Sequence, residues 1–463
     1  MKIKMNWILI GALWLLACQK SSDNPPFTPP PPPVVTDTLP AQYGTPYTET
    51  PNAADAVIYQ VNMRAFSAEA NFAGVQQRLD SIRNLGVNVL YLMPTYPIGQ
   101  VKSVNSPYCV KDYTGVNSEF GTLSDLRTLV DQAHARHMAV LFDWVADHTA
   151  WDNPWISQHP DWYLKDGSGN IIPPPNTGWN DVAALNFANA AMRKAMIKAM
   201  QYWVYTANID GYRCDAADFI PADFWKSALD SLKSIPRHKL LLFAEGTRKD
   251  HFASGFQLEY GMGFYYTLRD QVFKAGRPAK LIDSLNTVEY TDATVGAQVV
   301  RYISNHDVDN SDGTPLDLFG GNAGSMAAFV SAAYMKGVPM IYNGQEVGCP
   351  VKLNFFNNST TIDWGLNPDM RLEYKKLIAF RNSSAALRNG TLQSYTNEDV
   401  CAFTKTAGNS TVLVLINLRN RSIGYSVPPP LAGSDWSDAF DGTAQHLGTS
   451  VTLPSYSYKI YQH

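Results

Sequence analysis

Short apolar runs alternate with stretches of helical spacing from about residue 56 to residue 342. Ala56 to Val61, Val87 to Met93, Met138 to Val145, Ile209 to Cys214, Lys239 to Ala244, Val299 to Ser304 and Val338 to Tyr342 read as strands. Val75 to Leu85, Leu123 to Ala135, Ala190 to Thr206, Phe224 to Leu232 and Met326 to Met335 repeat their apolar residues every three or four positions and read as helices. Strands that alternate with helices form βαβ units and a parallel sheet. The interval between Glu245 and Asp307 is about two such units long, which leaves room for one more strand near Gly255 to Tyr266. Eight strands result, the number that closes a (β/α)8 barrel. An open doubly wound sheet is the competing architecture. It usually carries a glycine-rich phosphate loop after a strand, and none is present.

Both ends of the chain differ from this middle. Beyond about Leu387, Val400 to Lys405, Thr411 to Leu418 and Ser455 to Tyr461 are β-branched or alternating, with Gly, Asn and Pro between them. This pattern predicts a C-terminal antiparallel β-sandwich domain over residues 387–463. At the other end, Lys2 and Lys4 precede an apolar run from Trp7 to Ala17, too short to cross a membrane and suited to a signal segment. It ends in Leu-Leu-Ala followed by Cys18, which resembles a bacterial lipobox. The expectation is a signal peptide over 1–17, lipidation at Cys18 and a proline-rich spacer over 18–45. A chain tethered in this way would sit at the cell surface or on the periplasmic side of the outer membrane. The remaining cysteines, Cys109, Cys214, Cys349 and Cys401, are scattered, and most read as buried free thiols.

Charge narrows the partners. With 37 basic and 41 acidic residues the net charge is −4, so the basic field that a nucleic-acid binder needs is missing. Aromatic residues make up 12% of the chain, which serves a buried core and a sugar-stacking surface equally well.

Ionisable residues gather where the proposed strands end: Asp143, Asp147 and His148 after the third, Arg213 and Asp215 after the fourth, Glu245 after the fifth, His306 and Asp307 after the seventh. A lone Asp there is more often a helix cap, and a lone His a structural group. Four strand ends in the same register are harder to obtain by chance, and in a barrel those ends converge on the face that hosts active sites. Arg213 and Asp215, two apart on a strand, share a face, so the guanidinium can keep the carboxylate ionised, as a nucleophile requires. Glu245 follows an apolar run that would desolvate it and raise its pKa, as a general acid requires. Two carboxyls on neighbouring strands, about 5 Å apart, fit a retaining glycosidase.

With DWVADH at 143–148, GYRCDAADF at 211–219, FAEG at 243–246 and SNHD at 304–307, the chain resembles the α-amylase family of retaining α-glycoside hydrolases. YCVKDY at 108–113, Phe120-Gly121-Thr122 and GVPMIYNGQE at 337–346 support the likeness. The resemblance implies a catalytic barrel over 46–386, with a short inserted domain B over 149–189. It implies that Asp215 is the nucleophile, Glu245 the acid and then the base, and Asp307 the third carboxylate, gripping sugar hydroxyls. Arg213 would orient Asp215, with Asp143 pairing to Arg213. His148 and His306 would donate to the sugar in subsite −1, beneath which Tyr108 would stack. Trp151, Trp155, Trp162 and Trp179 of the insertion would either line the cleft or pack the insertion itself.

The family's calcium site would fall at Asp147, Ala184 and Phe219. Ala184 and Phe219 cannot ligate, so no metal or other cofactor is expected. Asp218 and Phe219 also replace a Lys-His pair that often contacts sugars on the leaving-group side. The expected activity is hydrolysis of α-1,4-glucosidic bonds in starch, glycogen or malto-oligosaccharides by a monomer. The alternatives are a cyclomaltodextrinase, α-glucosidase or transglycosylase of the same family, or a catalytically weak sugar-binding lipoprotein.

Overall fold

Eight parallel strands close into a barrel in the computed structural model, which describes residues 38–463. In chain order the barrel strands are β1 Ile58–Val61, β2 Val89–Leu92, β3 Ala139–Trp144, β6 Gly211–Cys214, β7 Leu241–Ala244, β8 Leu258–Tyr260, β9 Gln298–Arg301 and β10 Val338–Tyr342. Two further strands, β4 His148–Ala150 and β5 Val182–Ala184, pair antiparallel in the insertion after β3. Around the barrel the order is β1-β10-β9-β8-β7-β6-β3-β2, so the (β/α)8 architecture read from the sequence is the one formed. The strands are shorter than the apolar runs that announce them. The flanking residues, such as Ala56, Val57, Val87, Met138 and Ile209, stay buried outside the strand bounds.

Close packing of neighbouring strands fixes particular residues. Gly211 opens β6 at φ +143°, and a Cβ there would lie 1.9 Å from the Leu241 carbonyl oxygen of β7. No other residue fits this approach. The helix Leu123–His134 between β2 and β3 starts on a capping box, in which Thr122 and Asp125 each bond the other's backbone N–H.

The C-terminal strands are β11 Thr391–Ser394, β12 Val400–Ala407, β13 Ser410–Asn417, β14 Ile423–Ser426, β15 Asp435–Asp438, β16 Ala444–His446, β17 Ser450–Leu453 and β18 Tyr458–Gln462. They form a six-stranded antiparallel sheet, β11-β12-β13-β18-β15-β16, and the pair β14-β17. Val400, Ala402, Leu413 and Leu415 pack with Ile423, Tyr425 and Leu453 of the smaller sheet. The alternate residues Cys401, Phe403, Val412, Val414 and Ile416 join the core that includes the barrel. β12 and β13 are therefore buried on both faces, which is why their sequence shows so little polar alternation.

The chain from Thr38 to His463 is one compact unit. Part of the stretch expected to be a spacer already belongs to it. Tyr43 N–H donates to the Tyr205 carbonyl at 2.7 Å, and the Tyr43 hydroxyl to Asp131 Oδ2 at 2.7 Å. The signal segment, Cys18 and the proline run lie outside the described residues. Cys109, Cys214, Cys349 and Cys401 are buried free thiols. Among the described residues no helix is long and apolar enough to cross a membrane.

Candidate active site

The ladder places the acidic residues one step beyond the strands. Asp215 N–H bonds the Trp144 carbonyl and Glu245 N–H the Cys214 carbonyl, each at 2.9 Å, so both residues extend the strand pairing onto the C-terminal face. Asp307 arrives differently. Asn305 caps the helix His306–Ser311, its Oδ1 accepting from the N–H groups of Asp307 and Val308, which sets Asp307 in the first turn. Asp215, Glu245 and Asp307 line one cleft of about 540 Å³ together with Tyr108, His148 and His306.

Arg213 organises the floor. Its guanidinium is fully buried, and Nη1 donates to Asp143 Oδ1 at 2.6 Å and to Asp215 Oδ1 at 2.7 Å. Asp143 and Arg213 are register partners on β3 and β6, which explains their meeting. Nη2 lies 2.5 Å from Glu245 Oε1, a charge contact without good hydrogen-bond direction. One cation thus serves three carboxylates. The sequence reading assigns Arg213 to Asp215 and sets Glu245 in apolar surroundings. That second expectation is corrected: Glu245 faces the guanidinium, and its Oε2 accepts the Ala216 N–H at 2.8 Å. Ala216 can donate there because its backbone is left-handed, at φ 43° and ψ 41°, a strained conformation for a residue with a Cβ.

Burial raises the Asp215 carboxyl well above its ordinary range; Arg213 opposes this, while Glu245, Asp143 and Asp147 add to it. The expectation that Arg213 keeps the Asp215 carboxylate ionised thus meets an opposing burial that is the larger effect. Asp143, fully buried, is also raised, with desolvation outweighing Arg213. Asp307 is the most open of the three, its side chain 54% exposed. The cleft walls and the Glu245 charge raise its carboxyl, and water at the mouth moderates the effect.

The two histidines differ. Burial and Arg213 push His306 down to about 4, so its ring is neutral at ordinary pH. Gln60 Nε2 donates to Nδ1 at 2.7 Å, leaving the proton on Nε2, which meets the Tyr108 hydroxyl at 2.6 Å. That hydroxyl donates in turn to Asp143 Oδ2 at 2.9 Å. His148 has acceptors on both sides, Asp147 Oδ2 at 2.9 Å and the Tyr108 carbonyl at 3.1 Å. Burial works against charge on this ring, but Asp147 and the carbonyl raise its pKa above the ordinary value. Both His148 nitrogens are thus engaged within the protein, so a sugar contact from this ring would have to share one of those bonds.

Gln60 and Tyr91 are site residues that the sequence reading does not single out. Tyr91 donates to Asp143 Oδ2 at 2.6 Å from β2. The available signal was a polar group inside an otherwise apolar strand. Of the four insertion tryptophans, only Trp179 lines the cleft, 37% exposed and in edge contact with His148 and Phe219. Trp155 and Trp162 pack on each other, and Trp151 lies under Lys102.

The residues at the family's calcium position do not fit a hard cation. Asp147 has one oxygen taken by His148, Ala184 offers a methyl, and Phe219 a ring that is 60% exposed. A calcium shell needs six to eight oxygens. Among the described residues no group of three or more His, Cys, Asp or Glu is placed to hold a metal.

A family model described as the α-amylase catalytic domain matches residues 52–363. The chain is 25% identical over 437 residues to the α-amylase MalA of Haloarcula japonica, covering 89% of this chain and 63% of that protein's length. It is 24% identical over 423 residues to a cyclomaltodextrinase of Geobacillus thermopakistaniensis, covering 84% and 69%. Among solved structures, the maltogenic α-amylase AmyB of Thermotoga neapolitana superposes with a TM-score of 0.78 at 24% identity, covering 89% of this chain and 99% of that one.

Proposed function

The chain belongs to the α-amylase family of glycosidases, and from that premise we propose that it hydrolyses α-1,4-glucosidic bonds in starch, glycogen or malto-oligosaccharides with retention of configuration. The observation that carries this reading is the clamp of Asp215 and Glu245 on one buried guanidinium, beside Asp307 in the same cleft. In retaining enzymes the two working carboxyls stand about 5–5.5 Å apart, and two side chains held by one guanidinium are close-set in this manner. Asp215 attacks the anomeric carbon, forming a glycosyl ester as the bond to the leaving oxygen breaks. Glu245 delivers its proton to that oxygen. Glu245, now ionised, then takes a proton from water, which attacks the same carbon and frees Asp215. Asp307 faces the same cleft, and its carboxylate form favours the oxocarbenium-like transition state. The His306 Nε2 proton is engaged by the Tyr108 hydroxyl, so a sugar contact from this ring would share that bond.

The test is a product profile on soluble starch, maltoheptaose and cyclodextrin, with the first-formed anomer read by NMR. The expected result is α-configured malto-oligosaccharides from the linear substrates. First-formed β-anomers would exclude the retaining mechanism. The exposed Phe219 and Trp179 beside the cleft supply a stacking surface for a second sugar, which favours transglycosylation as a second reading. Longer oligosaccharides accumulating from maltoheptaose would distinguish it.

We further propose that no calcium supports this fold, given the donor set at Asp147, Ala184 and Phe219. EDTA is expected to leave the Tm nearly unchanged in a thermal melt, and a large drop restored by calcium would refute this.

A further inference from the structure

Two turns carry Asp215 and Glu245, and the structure fastens those turns to each other. Ala216 N–H reaches Glu245 Oε2 and Ala217 N–H the Glu245 main-chain oxygen, both at 2.8 Å. Asp218, the next residue, is at the cleft lining and bonds its carboxylate to the segment that follows Glu245. The Thr247 N–H is 3.2 and 3.1 Å from its two oxygens. Oδ1 also accepts from Arg248 N–H at 3.1 Å and from His251 Nε2 at 2.7 Å. In return, Arg248 Nη1 donates to the Asp218 carbonyl at 2.7 Å. His251 is fully buried. Burial alone would raise the Asp218 carboxyl, but the His251 bond and the two backbone N–H groups bring it below its ordinary value. The ionised form is therefore the one built in.

Gly246 shows how tightly this lock closes. A Cβ at that position would lie 2.3 Å from Asp218 Oδ1 and 2.6 Å from His251 Nε2. Asp215 does not depend on the lock. It is held by the Trp144 carbonyl through its own N–H and by Arg213. Glu245 has like anchors in the Cys214 carbonyl and Arg213, but its chain neighbour Gly246 is pressed directly against Asp218 and His251, so the lock bears on Glu245 in addition.

We propose that Asp218 is a positioning residue for proton delivery: by pinning residues 246–251 it fixes the Glu245 carboxyl, while nucleophilic attack by Asp215 proceeds without it. This inference rests on the reading of Glu245 as the general acid. A sugar or weakly acidic phenol leaves as an anion too basic to depart unprotonated, so C1–O cleavage needs the Glu245 proton. From an α-glycosyl fluoride, fluoride leaves with the bonding pair and needs no such proton, while Asp215 forms the same ester. A misplacement of about 1 Å in a catalytic group costs about 10²-fold, within the range that general acids contribute.

The test uses the full chain with Asp218→Ala and Gly246→Ala, which break the lock from opposite sides, and Asp218→Asn, which keeps one acceptor oxygen and serves if the alanine variant fails to fold. Substrates are α-maltosyl fluoride and aryl α-maltosides of graded phenol acidity. The expected result is a loss in kcat/KM, which reports ester formation alone, of about 10²-fold on the least acidic phenol, shrinking as acidity rises and nearly absent on the fluoride, while kcat on the fluoride falls because Glu245 must still take the proton from water. Equal loss in kcat/KM on all substrates, or no loss on any, would overturn the proposal. Wild-type cleavage of aryl maltosides without cleavage of maltoheptaose would instead refute the α-1,4-glucan reading, and the lock would still be read from the aryl series.

Discussion

Asp215→Asn is expected to lower kcat on maltoheptaose by about 10⁴-fold or more, because the amide cannot form the glycosyl ester. Stability should move the other way. Burial raises the Asp215 carboxyl in the folded state. A group raised in this way destabilises the fold once pH passes its unfolded value, and the cost is complete above its folded value. The neutral amide removes that cost, and Arg213 keeps Asp143 and Glu245 as charge partners. At pH 7 the Tm should therefore hold or rise, and at a pH below the unfolded value the two proteins should melt alike. Hydrolysis within tenfold of wild type would take Asp215 out of the nucleophile role. Lost activity with a much lower Tm would show that the carboxylate is needed to hold the floor together.

What could be read in the sequence follows from burial. The barrel strands were legible because parallel strands under helices are apolar on both faces, and a five-residue run such as Leu240 to Ala244 is too short for a core helix and too apolar for a surface loop. β8 was visible only as a gap between motifs, since three residues, Leu258–Tyr260, carry too little pattern. At the site, the residue types at the strand ends were legible, as were the pairings of Arg213 with Asp215 and, through the family resemblance, with Asp143, while the partners of Glu245 were not. Nothing in the sequence shows that Ala216 adopts a left-handed backbone, or that its N–H then meets Glu245. Arg213 has several N–H donors, and a spacing of two revealed only the carboxylate on its own strand. Asp143 was joined to it by the resemblance, and Glu245 reaches it from a neighbouring strand, through register that no single strand records. The insertion tryptophans divide for a similar reason. Trp155 and Trp162 fill the insertion, while Trp179 stands over the cleft, and the residue type is the same in each case.

That sharing makes Arg213→Met the most damaging substitution for the fold. The methionine fills much of the arginine's volume but leaves three carboxylates without the cation that touches them all. Asp143 has no solvent exposure to compensate. Removing one partner of a buried ion cluster costs about 3–5 kcal/mol at neutral pH, to be measured by urea unfolding against the wild type. The pH dependence identifies the cause. Burial already raises Asp143 and Asp215 with Arg213 opposing, so loss of the cation raises them further in the folded state. Their ionisation then costs stability at high pH, and the deficit should shrink as pH falls through those raised values, vanishing below the ordinary aspartate value of about 3.9. A deficit independent of pH would assign the loss to packing. Arg213→Lys separates the two further. Its single ammonium keeps the charge but cannot span three carboxylates, so it should recover part of the stability and little of the activity.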